Sequence, residues 1–161
     1  MALRNIVKDG DPILTKRCRP VEKFDSKLHT LLDDMAETMH HANGVGLAAP
    51  QVGMLRRVVV IDVSPEQNNV LELVNPKIIA YSGEQEGNEG CLSFPGQWGI
   101  VKRPSYVKVK AQDRFGEEFT LEGTELLARA FCHEIDHLNG VVFKEVCERM
   151  LTRKEIDKMQ G

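Results

Sequence analysis

Paired cysteines, basic blocks and long apolar runs are all missing from this chain, and each absence removes a class of function. The four cysteines, Cys18, Cys91, Cys132 and Cys147, are irregularly spaced with no CxxC among them, so a disulfide framework does not organise the fold. Lysine and arginine form no cluster in a chain of net charge -3, which leaves no stripe to track phosphates and argues against direct nucleic-acid recognition. No apolar stretch approaches the length of a bilayer crossing, so no membrane role is expected. The opening "MALRNIVKDGDPIL" lacks a basic end followed by an apolar block and a small-residue cleavage site, so secretion is not signalled and a cytoplasmic location is expected. Internal repeats and low-complexity segments are absent as well.

What is present is ordinary globular material: 161 residues, 42% hydrophobic and 28% charged. That is enough chain to bury a core without disulfides or partner subunits, and a single domain over residues 1–161 is expected, with a short tail from about residue 147. After Phe24, Leu28, Leu31, Leu32, Met35 and Met39 fall at helical spacing, and Asp25 or Ser26 stands where a cap belongs. The helix runs into "GVGLAAPQVG", whose glycines and proline interrupt regular structure and let the backbone approach a neighbour closely, a candidate cleft wall. "RRVVVIDV", "VLELVNPKIIAY", "SYVKVKAQD" and "EEFTLEG" read as mostly antiparallel strands, the last two joined by a turn at "DRFG". Between the second and third lies "SGEQEGNEGCLSFPGQWGIVKRP", glycine-rich and without a period. It reads as a long loop, and such loops are usually functional. A last helix is expected from Thr124, whose hydroxyl can cap, to a stop at Asn139-Gly140.

That helix carries "FCHEIDHLNG". At 3.6 residues per turn, His133 and His137 lie about 40° apart and one turn along the axis, so both imidazoles can reach one ion, whereas Glu134 points about 100° away. A carboxylate so placed suits a base acting on a water at the metal rather than a ligand. At this composition, an HExxH arises by shuffling on the order of one per cent of the time; the bland alternative is one hydrogen-bonded core histidine and one exposed one. A hydrolytic site wants three protein ligands and an open position. Glu155 could supply the third, as in other zinc proteases. Cys91, in the open loop "NEGCLSFPG", is the preferred candidate. Cys18 and Cys147 read as small buried hydrophobes, and Cys132, turned about 100° from His133, as core packing.

Three segments in order, "GVGLAAPQVG", "EGCLS" and "HEIDHLNG", with strands between the second and third, closely resemble the peptide deformylase family over nearly the whole chain, from the opening to about Phe143. The resemblance implies an α+β fold in which antiparallel and mixed sheets surround a central helix bearing the HExxH pair, with the first helix packed outside. It implies removal of the formyl group from N-formyl-methionine at the start of newly made polypeptides, releasing formate. Cys91, His133 and His137 would be metal ligands, Glu134 the general base and later acid, and the Gln51 side-chain amide and Leu92 backbone N–H the oxyanion donors. Gly46 and its neighbours would bind the substrate backbone as an added strand, and Val45, Leu126, Arg129, Ala130 and the His133 ring would wall the methionine pocket. The implied metal is ferrous iron in many members, with zinc, nickel or cobalt substituting.

Two positions depart from the family pattern: Cys132 stands where many members have glutamine, and Trp98 where some place an arginine near the substrate. Glu89 and Arg103 are either a brace for the metal loop or two unrelated surface charges. The tail "KEVCERMLTRKEIDKMQG" mixes signs, so contact with the ribosome exit region, made in some relatives by a basic carboxyl-terminal helix, is left open. Two competing readings are a small zinc endopeptidase using Glu155, and a non-catalytic metal-binding module whose ligands close around the ion.

Overall fold

A computed structural model describes residues 2–160. Helix α1 (Ser26–His41) is capped by Asp25, whose side chain accepts from the Leu28 N–H at 3.1 Å, so of the two candidate caps the carboxylate takes the role. Strands β1 (Gly46–Ala48), β2 (Val58–Ile61), β3 (Leu71–Ser82), β6 (Tyr106–Gln112) and β7 (Glu118–Thr124) form one sheet in the order β1-β2-β3-β6-β7. Strands β4 (Gln85–Cys91), β5 (Phe94–Arg103) and β8 (Arg149–Met150) form a second, in the order β4-β5-β8. Every strand pairing in both sheets is antiparallel; the mixed character expected from sequence is confined to one isolated parallel bridge, Arg19 to Arg56.

The run of apolar residues in β2 has a direct cause. All four of its residues are buried, because successive side chains point to opposite faces and both faces are covered. Val58 and Val60 join Leu28, Leu32, Met35 and Met39 of α1 in one cluster. Val59 and Ile61 join Ala128, Phe131, Ile135 and Leu138 of helix α2 (Glu125–Leu138) in another. Helix α2 therefore lies under the five-stranded sheet, with α1 on the sheet's far face. A third cluster, Leu14, Phe94, Val101, Val142 and Phe143, underlies the small sheet and takes in Phe143 of the short helix α3 (Phe143–Val146). The chain ends in α4 (Arg153–Gln160).

Two local expectations are corrected. The segment read as a long loop is mostly the β4–β5 hairpin, with a register jump: Gly90 pairs with Trp98, but Cys91 pairs with Phe94. Its glycine, glutamate and asparagine content carries little strand propensity; Val101 and Phe94 beneath it, and the ion pairs of Glu89, supply what propensity does not. The second correction concerns Thr124, which precedes α2 but makes no side-chain capping bond. The Glu125 N–H donates instead to the Ser105 carbonyl at 3.2 Å, so a neighbouring segment meets one of the unpaired donors at the helix start. The helix stop at Asn139 and Gly140 falls where expected.

Candidate active site

Two elements meet at the cleft. Helix α2 brings His133, Glu134 and His137, all buried, and the turn of the β4–β5 hairpin brings Cys91. One ligand atom from each of Cys91, His133 and His137 lies within 4.8 Å of the others, and the Cys91 Sγ stands 3.3 Å from His137 Nε2. The His133 Nδ1 faces Glu89 Oε1 at 2.7 Å; a proton on Nδ1 donated to that carboxylate leaves the other ring nitrogen free to bind an ion. Glu155, the alternative third ligand, is not in this cluster. Both its oxygens accept from Arg149 at 2.8 Å, and that guanidinium takes its carboxyl down to about 2.

Glu89 is a hub. It accepts from Arg103 Nε at 3.0 Å and Nη2 at 2.9 Å, from Arg129 Nη1 at 2.6 Å, and faces His133. Arg103 in turn reaches Asp136 at 2.7 Å. Burial alone would raise the Glu89 carboxyl, but Arg103 and His133 outweigh it and hold it well below the usual range. The pairing of Glu89 with Arg103 is thus a buried network and not two surface charges, and it ties the Cys91 strand to the histidine helix.

The remaining groups converge on the same space. Gln51 is buried, with its Nε2 3.3 Å from Cys91 Sγ and 3.1 Å from Ser93 Oγ, while its Oε1 accepts from the Ala48 N–H at 3.0 Å. Those bonds fix which way the amide faces. Gly46 lies so close to Glu134 that an added Cβ would stand 2.5 Å from its Oε2, the close backbone approach that the glycine-rich segment foretold. Burial raises the Glu134 carboxyl to about 7, Glu89 and Asp136 adding to the effect and His133 and Arg103 opposing it. Burial, reinforced by His133, lowers His137 well below the ordinary imidazole value, which keeps it neutral with a lone pair to give. For His133, burial is outweighed by Glu134, Cys91 and Glu89, which raise it and make its surroundings receptive to positive charge. Glu134 Oε1 and His137 Nδ1 are buried without hydrogen-bond partners. Two imidazoles and a thiol converging beside unpartnered buried polar atoms fit a bound divalent metal.

A cleft of about 510 Å³ opens onto these groups. Val45, Gly46, Gln51, Cys91, Leu92, Leu126, Arg129, Ala130, His133 and Glu134 all line it; His137 lies behind, among the ligand atoms. A family model described as "Polypeptide deformylase" matches residues 3–153. The chain belongs to that family. Among its relatives, the peptide deformylase of Lachnoclostridium phytofermentans is 60% identical over 145 residues, covering 90% of this chain and 89% of that one. That of Caldicellulosiruptor bescii is 55% identical over 161 residues, covering 100% and 95%. The crystal structure of a peptide deformylase from Legionella pneumophila superposes with a TM-score of 0.87 at 44% identity, covering 98% of this chain and 95% of that one.

Sequence reasoning missed several residues in this deformylase cleft or behind its walls. Ser93, which holds the Gln51 amide, follows Cys91 by two positions but has no signature of its own. Asp136 falls inside the HExxH run and reads as an exposed helix residue until Arg103 is seen beside it. Gln160, from the far end of the chain, also lines the cleft, and nothing in its surroundings in sequence announces this. Of the cysteines, Cys18 and Cys132 are buried as expected, whereas Cys147 is only half-buried, its thiol 3.3 Å from the Lys144 carbonyl.

Proposed function

We propose that this chain, read as one deformylase domain over residues 1–161, hydrolyses the formyl amide of N-formyl-methionyl nascent polypeptides, releasing formate. In this reading Cys91, His133 and His137 hold one divalent metal, ferrous iron in the native protein, with zinc, nickel or cobalt able to use the same donors. The metal, when bound, polarises the formyl carbonyl and makes water a competent nucleophile near neutral pH. Glu134 takes the proton from that water at its unpartnered carboxylate oxygen and later passes it to the departing amine. The Gln51 Nε2 and the Leu92 N–H donate to the formyl oxygen as it gains charge, and the Ala48 and Ser93 bonds hold the Gln51 amide in place before the reaction begins. Val45, Leu126, Arg129, Ala130 and the His133 ring wall the methionine side chain, and Gly46 presents its backbone to the extended peptide. No helix among the described residues is long and apolar enough to cross a membrane; a nascent-chain substrate is the reason for reading the protein as acting in the cytoplasm, and contact with the ribosome exit region stays open.

The observation that carries this reading is the meeting of Cys91 with the histidine pair in a cleft where Glu134 and the Gln51 amide face the same space. The test couples metal analysis to formyl-Met-peptide hydrolysis. Cys91→Ala should lose metal and activity together while Glu155→Ala keeps both, and the reverse result would transfer the third ligand to Glu155.

A further inference from the structure

Asp34 and Thr38 are buried polar residues of α1 that do not line the cleft, and the start of the chain is what satisfies them. Asp34 accepts from the Ala2 N–H at 2.8 Å and from Arg4 Nε at 3.0 Å, and Thr38 Oγ1 accepts from the Arg4 N–H at 3.0 Å. From that anchor the segment runs to the back of the cleft. The Val7 N–H donates to the Gln51 carbonyl at 2.7 Å, and the Asp9 N–H donates to the Ser93 carbonyl at 2.8 Å. The far end is fixed as well. Asp11 caps the 3-10 turn Pro12–Thr15, accepting from the Ile13 N–H at 3.0 Å, and Leu14 of that turn is buried in the cluster under the small sheet.

Gln51 and Ser93 belong to different parts of the fold. Gln51 follows β1 of the large sheet, whereas Ser93 lies in the turn between β4 and β5 of the small one. Among the described residues no backbone hydrogen bond joins residues 44–53 to residues 88–96 directly. The hydrogen bonds between them come from the Gln51 amide itself, to Ser93 Oγ at 3.1 Å and Cys91 Sγ at 3.3 Å. The amide therefore sits across a joint, and the start of the chain bridges that joint with two backbone donors.

We infer that residues 4–9 are a positioning strap for the oxyanion donors: the Val7 and Asp9 amides fix the Gln51 segment at a set distance from the hairpin turn that carries the Leu92 N–H. This rests on the deformylase reading of the same cleft. Two residues of chain reach at most about 7 Å, so the Gln51 and Ser93 carbonyls cannot move apart without a hydrogen bond breaking. Donors aimed at developing charge are effective when they are in place before the reaction, and a misplacement of about 1 Å can cost about 10²-fold in rate. The strap lines neither the cleft nor the cluster of ligand atoms; it acts through the placement of Gln51 relative to Leu92.

The test measures kcat, KM and bound metal with a formyl-Met-Ala peptide on the metal-loaded wild type and three variants, each made also in a Gln51→Ala background. Val7→Pro removes the N–H that holds Gln51, Val7→Ala keeps it, and Arg4→Ala loosens the anchor on α1. Val7→Pro should lower kcat about tenfold, less than the about 10²–10³ of losing a donor outright. KM and metal content should not change, because the contact matters only in the transition state. Val7→Ala should stay near wild type, and Arg4→Ala should lower kcat about threefold by a smaller displacement of the same donor. In the Gln51→Ala background both losses should vanish, since groups that act through one another are not additive. Unchanged kcat in Val7→Pro, an equal loss in both backgrounds, or a loss only in step with lost metal would overturn the inference alone. Should Val7→Pro fail to fold, Arg4→Ala decides, and wild-type kcat there would overturn it. A metal-loaded wild type that does not deformylate, or a Gln51→Ala variant as active as wild type, would overturn the reading of the cleft and this inference with it.

Discussion

The two sheets of this molecule are held in different ways. The five-stranded sheet is apolar on both faces around β2, with Val58 and Val60 against α1 and Val59 and Ile61 against α2. The three-stranded sheet has a smaller apolar cluster, and its bond to α2 runs through charge: Glu89 on β4, Arg103 on β5, and Arg129, His133 and Asp136 on α2. The first arrangement supplies stability that is indifferent to fine geometry. The second fixes angles, because a bidentate guanidinium–carboxylate pair tolerates little rotation, and it stands where a thiol on one element must meet two rings on another.

That contrast can be tested by degrees. The largest effect belongs to the cleft itself: Glu134→Gln should keep its metal and lose about 10²–10⁴ in kcat, and a variant of near wild-type activity would remove Glu134 from the proton path. Next is Glu89→Gln, which leaves the buried Arg129 guanidinium without its counter-charge and Arg103 with Asp136 alone. It should cost about 3–5 kcal/mol in denaturant unfolding and weaken metal binding about 10–100-fold through the His133 ring. Leu32→Ala, in the apolar cluster beneath α1, should cost about 2–5 kcal/mol with metal affinity unchanged. If Glu89→Gln and Leu32→Ala affected metal binding alike, the division between an apolar frame and a charged hinge would be wrong.

The smallest effect concerns acid stability. Burial alone would raise the Asp62 carboxyl, but Ser64, His40 and the Asn69 N–H outweigh it and lower it. A carboxyl that is more acidic folded than unfolded contributes stability fully present above the unfolded value of about 3.9 and lost as pH falls through the lower folded value. Asp62→Asn should therefore flatten the acid limb of a stability-against-pH curve and leave the metal site untouched. An unchanged acid limb would show that other carboxyls govern it.

Much of the frame was legible because periodicity encodes burial. The α1 spacing, the β2 run, the "DRFG" turn, where the Gly116 N–H donates to the Asp113 carbonyl at 3.0 Å, and the stop at Gly140 all reflect one local rule each. The β4–β5 hairpin was not legible, since its residues have weak strand propensity and are held by partners more than thirty positions away, as Arg129 is from Glu89. The same reason hid Ser93 and Gln160.

By itself, the sequence determined the helical pitch that sets His133 beside His137, the turn that frees Glu134, and the glycine at position 46 that admits its carboxylate. Those depend on residues a few positions apart, and local geometry is written in local spacing. Only the tertiary structure decided that Cys91 and not Glu155 joins the histidines, that Glu89 gathers two arginines and a ring, and that the last turn of α4 borders the cleft. Each of these joins segments distant in the chain, and such meetings are settled by the packing of whole elements.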